Sequence, residues 1–269
     1  MRDIHTFVIL AYHESDDLED CIKSVLNQSV KSNVIIATST KNDYIIELAS
    51  QYALGVMVND QKSNKGSDYN YAINTFDTKL VTIAHQDDLY DRNYVKEILK
   101  CYSQNKDASI IITDYYEIDN DRKIKRSREL FKKKILISPL KYKWCQDKKY
   151  FKMRSLKYGQ SFCTSSVTFI KDNINNELFP TNLTYNNDWQ GFINLANEDS
   201  KFVYINKKLV GYRIYKKGEL KEKEQEKLNI YKAMWPDKLI DYLYQKKEKS
   251  KQKKQIRRVE KNKNKYKKV

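Results

Sequence analysis

Val81-Thr-Ile-Ala-His-Gln-Asp-Asp-Leu-Tyr90 is the stretch on which the reading of this chain turns. A short apolar run leads straight into two adjacent carboxylates, Asp87 and Asp88. Val, Ile and Ala form a strand that buries readily, whereas neighbouring Asp side chains are almost never left buried and unpaired. The strand is therefore expected to end there, at the rim of a sheet. In open α/β sheets ligands bind in the crevice beyond the carboxyl ends of the strands. Two like charges at that rim repel unless a hard cation lies between them, usually with phosphate oxygens. The same residues also fit an Asp-rich turn that caps a helix from about Asp91, so the surrounding chain has to decide.

Outward from this stretch, the first 115 residues alternate between two periodicities. Apolar runs suited to strands occur at His5–Ala11, Asn33–Thr38, Gly55–Asn59, Leu80–Ala84 and Ala108–Thr113. Between them lie helical spacings such as Leu18/Ile22/Val25/Leu26 and Tyr94/Val95/Ile98/Leu99. Repeated strand–helix–strand units with short links predict right-handed βαβ crossovers. The expected fold is α/β, a Rossmann-like, mostly parallel central sheet flanked by helices. Ser15 or Asp16 is the expected N-cap of the first helix and Asp91 that of the fourth.

After Tyr115 the alternation breaks. Glu117–Leu136 is polar and basic, which predicts edge strands or a mobile loop. Ile137–Tyr158 predicts one or two short helices with an aromatic, basic face carrying Tyr142, Trp144 and Tyr150. A strand at Ser166–Ile170, a helix at about Asp188–Ala196 and two strands near Phe202–Ile205 and Leu209–Ile214 follow. Residues 217–245 are expected to form an amphipathic helical extension, with Trp235 and Leu239 on its apolar side. The expected division is a domain over 1–216, with halves at about 1–115 and 116–216, then the helix, then a basic tail over 246–269.

That tail holds thirteen Lys/Arg against two acidic residues, so it carries +11 of the chain's net +16. A like-charged run of this kind reads as a solvated, disordered interaction tail. Three partners fit it: none, anionic lipid at a cytoplasmic membrane face, or nucleic acid. Nucleic acid is the weakest, since the tail has one aromatic, Tyr266, and no recognised binding module. No run approaches the roughly 18 apolar residues of a transmembrane helix, and Met1–Thr6 lacks a signal-peptide core. A cytoplasmic location is the expectation. Cys21, Cys101, Cys145 and Cys163 are scattered without metal-ligand spacing, which predicts reduced structural thiols.

Four local motifs carry chemistry. Val8-Ile-Leu-Ala-Tyr-His-Glu14 precedes the helix Asp17–Gln28, which ends in Ser24-Val-Leu-Asn-Gln28; a strand leading to a helix N-terminus favours anions. In Asn64-Lys-Gly-Ser-Asp-Tyr-Asn-Tyr-Ala-Ile-Asn74, Gly66 would let the backbone approach a ligand and Lys65 would offset phosphate charge, although a plain helix start fits too. His85-Gln-Asp-Asp88 is the third. Tyr185-Asn-Asn-Asp-Trp-Gln-Gly-Phe-Ile-Asn-Leu-Ala196 is the fourth; Asp188 beside Trp189 is placed to act as a base, and equally as a helix N-cap.

In their order and separation these motifs resemble family 2 glycosyltransferases of the GT-A fold, over roughly Thr6–Tyr215. The resemblance implies transfer of a sugar from a nucleotide-diphosphosugar to a hydroxyl of a glycan or lipid-linked acceptor, in surface polysaccharide or glycolipid assembly. It implies an inverting reaction with Asp188 as base, and Mn²⁺ or Mg²⁺ held by Asp87 and Asp88. Tyr12, Glu14, Ser39, Lys65, Gly66, His85 and Asp87 are the implied donor-binding positions. The chain departs from the family at several points. His85 stands where the first Asp of the Asp-x-Asp motif is expected, Asn187 replaces a Glu, and Tyr215 replaces a His. Thr38-Ser-Thr-Lys41 replaces an acidic Asp-Asp-Gly-Ser segment that recognises the base. A non-catalytic GT-A-like binding or scaffold subunit is the rival expectation.

Overall fold

The computed structural model describes residues 4–60, 64–175, 177–214 and Ile230. One unit spans Met1–Gly218, and a second runs Glu219–Val269. The expected helical extension, the basic tail and Tyr215 lie outside the described residues.

Strands β1 (His5–Ala11), β2 (Asn33–Thr38), β3 (Gly55–Val58) and β4 (Leu80–His85) alternate with helices α1 (Leu18–Leu26), α2 (Asp43–Gln51) and α3 (Lys65–Asn74). β5 (Leu89–Tyr90), α4 (Tyr94–Gln104), β6 (Ile110–Ile118), β7 (Ile124–Lys125), α5 (Arg128–Ile137) and α6 (Lys149–Leu156) follow. The described chain ends with β8 (Val167–Ile170), α7 (Asn187–Asn197) and β9 (Phe202–Arg213). The strands form one sheet in the order β3-β2-β1-β4-β8-β6-β9-β5, with β7 on β6. β3, β2, β1 and β4 run parallel, β8 enters antiparallel to both β4 and β6, and β6 pairs parallel with β9.

The central strands lack an alternating pattern because both faces are covered: Phe7, Val8 and Ile9 are all buried. α1 turns Leu18, Cys21, Ile22 and Val25 onto the sheet at helical spacing. A polar thread crosses this core. His5 Nε2 meets Thr82 Oγ1 at 2.9 Å, Thr82 meets Thr168 at 2.7 Å, and Tyr94 Oη meets Thr168 at 3.0 Å. Burial drives the His5 pKa down to about 3, so the neutral ring stitches β1 to the inserted strand. All four cysteines are free thiols.

Three expectations shift in detail. The polar 117–136 stretch holds a helix, α5, whose N-cap Ser127 accepts from Leu130 N at 2.9 Å. The two expected closing strands are one, β9, because exposed Asn206–Lys208 sit on a register irregularity opposite Thr113–Asp114 and do not interrupt the pairing. α1 starts from Asp17 and α4 from Asn93, one or two residues beyond the expected caps.

Candidate active site

The carboxyl ends of β1, β2 and β4 open into a cavity of about 660 Å³, closed on the far side by Thr181–Thr184. Its rim is tied together by side chains bonding to the backbone. Gln86 clamps the end of β1: Tyr12 N donates to Gln86 Oε1 at 2.8 Å, and Gln86 Nε2 donates to Tyr12 O at 3.0 Å. His13, at φ 54°, donates its N–H to Thr40 Oγ1 at 2.7 Å. The covering loop is held by Asn64 Nδ2, which donates to Thr181 O at 2.8 Å. Asn187 Nδ2 donates to Pro180 O and Leu183 O, both at 2.9 Å. Asn187, which stands where a Glu was expected, is therefore a buried fastener of this loop.

His85, Asp87 and Asp88 bring their ligand atoms within 4.8 Å of one another. Asp87 lines the cavity, and its carboxylate accepts no hydrogen bond among the described residues. Asp88 lies behind it with no exposed surface. Its Oδ1 accepts from Arg213 N at 2.9 Å, while Oδ2, facing His85 Nδ1 at 3.8 Å, has no hydrogen-bond partner. Burial, and next the Asp87 charge, push the Asp88 pKa up to about 8 against the pull of Arg213. His85 Nε2 lies 3.0 Å from Tyr69 Oη, and the two rings stack. Burial pushes the His85 imidazolium down, although a quarter of the side chain still faces the cleft. In the neutral tautomer whose Nε2–H donates to Tyr69, Nδ1 has a lone pair for a metal. A lone pair and a buried carboxylate oxygen 3.8 Å apart are too distant for a hydrogen bond and suitably spaced to share a cation. These residues fit a divalent ion, with Asp87 as its solvent-side ligand.

Arg213 holds this arrangement from the other end of the chain. Its side chain is 1% exposed. Nε donates to Asp87 O at 3.0 Å and Nη1 to Asp119 O at 3.1 Å, and Nη2 lies 2.9 Å from Asp17 Oδ1. One guanidinium thus joins the Asp87–Asp88 turn, the start of α1 and the end of β6.

Asp188 sits in the first turn of α7, preceded by Asn186 in the left-handed region at φ 51°. Its Oδ1 accepts from Trp189 N at 2.8 Å and its Oδ2 from Thr164 Oγ1 at 3.1 Å. Trp189 is buried and donates Nε1–H to Leu156 O at 2.8 Å, so the helix start cannot rotate freely. The N-cap is Asn186. Burial, then the Asp188 charge, raise the Tyr69 pKa, and Asp188 also acts on His85. Asp188 thus lies within electrostatic reach of Tyr69 and His85, as Asp87 does, although it does not itself border the cavity.

Of the sequence-derived donor positions, Tyr12, Ser39, Lys65, His85 and Asp87 line the cavity. Glu14 is exposed and outside the lining. Gly66 is buried and does not border the cavity either: a methyl there would overlap the Pro180 carbonyl. Its role is helix-to-loop packing, in place of the expected approach to a ligand. Gly66→Ala is expected to cost about 1–3 kcal/mol in a denaturant titration, because backbone must move. Thr38 Oγ1 accepts from Thr40 N within the loop, and Thr40 Oγ1 accepts from His13 N beyond the end of β1. The missing acid at this end of the cavity is supplied by α3: Asp68 Oδ2 accepts from Ser39 Oγ at 3.2 Å, and Oδ1 from Asn59 Nδ2 at 2.8 Å. Asp68, Tyr69, Gln86 and Arg213 escaped the sequence reading. Asp68 and Tyr69 stood inside a quoted motif, and only their helical phase pointed to the cavity.

A mostly parallel sheet with an acidic turn at its carboxyl edge, opening into a cavity, is the arrangement of a GT-A-type domain. Residues 6–179 match the family described as Glycosyl transferase family 2, well over half of the chain. The chain belongs to that family and is a glycosyltransferase. It is 25% identical over 249 residues to an uncharacterized glycosyltransferase of Methanocaldococcus jannaschii, covering 88% of this chain and 81% of the relative. Among solved structures it resembles S. aureus TarS 1-349 in complex with UDP-GlcNAc, with TM-score 0.55 and 13% identity over 80% of this chain. It spans about 60% of the length of that structure. The mannosyltransferase PcManGT from Pyrobaculum calidifontis, in complex with GDP-Man and Mn²⁺, gives TM-score 0.58 and 14% identity over 81% of this chain and 59% of its own. The family match stops before α7, so the placement of Asp188 rests on its geometry.

Proposed function

We propose that this glycosyltransferase moves a sugar from a nucleotide-diphosphosugar to a hydroxyl of a glycan or lipid-linked acceptor, with inversion at the sugar carbon. The observation that carries this reading is the His85, Asp87 and Asp88 cluster at the mouth of the cavity, with Asp188 close enough to act on His85 and Tyr69. Solved relatives that bind UDP-GlcNAc, and GDP-Man with Mn²⁺, support a nucleotide-sugar donor.

The donor's diphosphate would lie against Lys65 and Asp87, and its base toward Ser39 and the Asp68 carboxylate. A divalent cation (Mn²⁺ or Mg²⁺) held by Asp87 with His85 or Asp88 would neutralise charge on the departing diphosphate. Asp188 retains lone pairs on both oxygens beyond its two existing bonds, so it can take the acceptor hydroxyl proton. The acceptor oxygen then attacks the anomeric carbon from the face opposite the leaving group, whose bonding pair passes to the phosphate oxygen. Lys65 offsets that charge.

Residues 246–269 would hold the enzyme at the cytoplasmic face of an anionic membrane, where a lipid-linked acceptor of surface polysaccharide or glycolipid assembly is presented. No helix among the described residues is long and apolar enough to cross a membrane.

A panel of nucleotide sugars, with and without Mn²⁺, tests the reaction. Metal-dependent hydrolysis or transfer from at least one donor is expected. Donor-induced thermal stabilisation without turnover across the panel would instead identify a binding subunit.

A further inference from the structure

Six of the nine large hydrophobic side chains exposed among the described residues fall between 131 and 158. Phe131 and Ile135 share the outer face of α5 at i,i+4 spacing, and Tyr142 and Trp144 project from the turns that follow. Tyr150 stands on α6 with Tyr158 just past its end. Phe131, Trp144 and Tyr150 are 67%, 66% and 70% exposed, far from the burial such side chains ordinarily reach.

These residues form one surface. α5 packs on α6, and Arg154 Nη2 donates to Ile135 O at 3.4 Å. The Trp144 and Phe151 rings meet edge-on at 5.3 Å, and Tyr150 meets Phe151 at 5.1 Å. A groove of about 300 Å³ runs between Pro139, Lys141, Tyr142, Trp144 and Phe151. Exposed Lys132, Lys141, Lys143 and Lys149 surround the rings. Residues 128–158 hold eleven Lys/Arg against two acidic residues, Glu129 and Asp147.

We propose that this aromatic, basic face of α5, α6 and the turns between them is a docking surface for the headgroup region of an anionic phospholipid leaflet. Tyr and Trp favour that depth, and Phe and Ile gain from entering it. Lysines around them match the negative surface, each adding attraction. A second copy of this chain would bring the same positive charge against itself. A glycan would ask for several carboxylate and amide partners, yet Gln146 is buried and the segment offers only Glu129 and Asp147 against eleven Lys/Arg. The inner side of α6 is tied to the start of α7, since the buried Leu156 carbonyl accepts from the Trp189 indole next to Asp188. The surface stands independently of the sugar-transfer reading and of residues 246–269.

Flotation of the full chain with phosphatidylcholine vesicles, alone or mixed with phosphatidylglycerol, tests it. Binding to the mixed vesicles only is expected. Combined Phe131→Ser, Trp144→Ser and Tyr150→Ser, all at exposed sites, should lower that partition about tenfold without moving the melting temperature. In a Trp235→Phe background, with Trp189 buried, brominated lipid should quench the Trp144 emission. Undiminished flotation of the triple variant, an unquenched Trp144, or loss of retention on a soluble glycan or oligonucleotide in place of vesicles would overturn the proposal. Donor hydrolysis by the triple variant in detergent-free buffer should equal that of the parent, which separates this result from any failure of the transferase reading.

Discussion

Asp188→Asn should lower turnover about 10²–10⁴-fold while leaving the affinity for donor and metal unchanged. The amide can keep both contacts, since its oxygen accepts from Trp189 N while its NH2 donates to Thr164 Oγ1 in the reverse of the present bond, and it adds no bulk. What it loses is the capacity to hold a proton. The loss should therefore appear in the rate with a saturating acceptor, and calorimetric binding of the nucleotide sugar should not change. Near-parental transfer by this variant would remove Asp188 from the chemistry and leave it as a loop anchor beside Thr164.

The second large effect separates two adjacent carboxylates. Asp87→Asn should abolish metal-dependent donor binding and cost about 10³-fold in rate, the scale of several kcal/mol of charge stabilisation. Its stability should barely change, because Asp87 has no side-chain partner among the described residues. Asp88→Asn should behave in the opposite sense. Its pKa, raised to about 8, means that between the ordinary carboxylate range and that value the folded chain holds a proton the unfolded chain has released. The charged form thus costs the folded state stability in that window. Removing the charge should raise the melting temperature of the metal-free protein at neutral pH, with Oδ1 still able to accept from Arg213 N. Calorimetry of both variants with and without Mn²⁺ checks the pair. Equal destabilisation of the two would mean that Asp87 is also structural.

Much of this site was legible in the residues because its physics is local. Val81–Ala84 must bury and Asp87 must not, so the turn between them belongs at a sheet edge. The βα alternation of the first half has the same origin. The role of Gly66 was misread because the carbonyl that excludes a side chain there belongs to Pro180, on a distant loop. Arg213 went unassigned because it acts 126 residues away, on the backbone of Asp87. No acid stands in Thr38–Lys41, and the carboxylate beside Ser39 comes from Asp68 of α3, brought there by folding.

Sequence alone determined the mostly parallel core and the place of the acidic turn, because apolar periodicity and the cost of burying charge operate within a few residues. Only the tertiary structure decided that Asp87 meets the cavity while Asp88 is sealed behind it. The two side chains are chemically identical, and their difference comes from burial: Asp88 is sealed from solvent, with its Oδ1 taken by Arg213 N at the end of β9, a neighbour that only the folded sheet supplies.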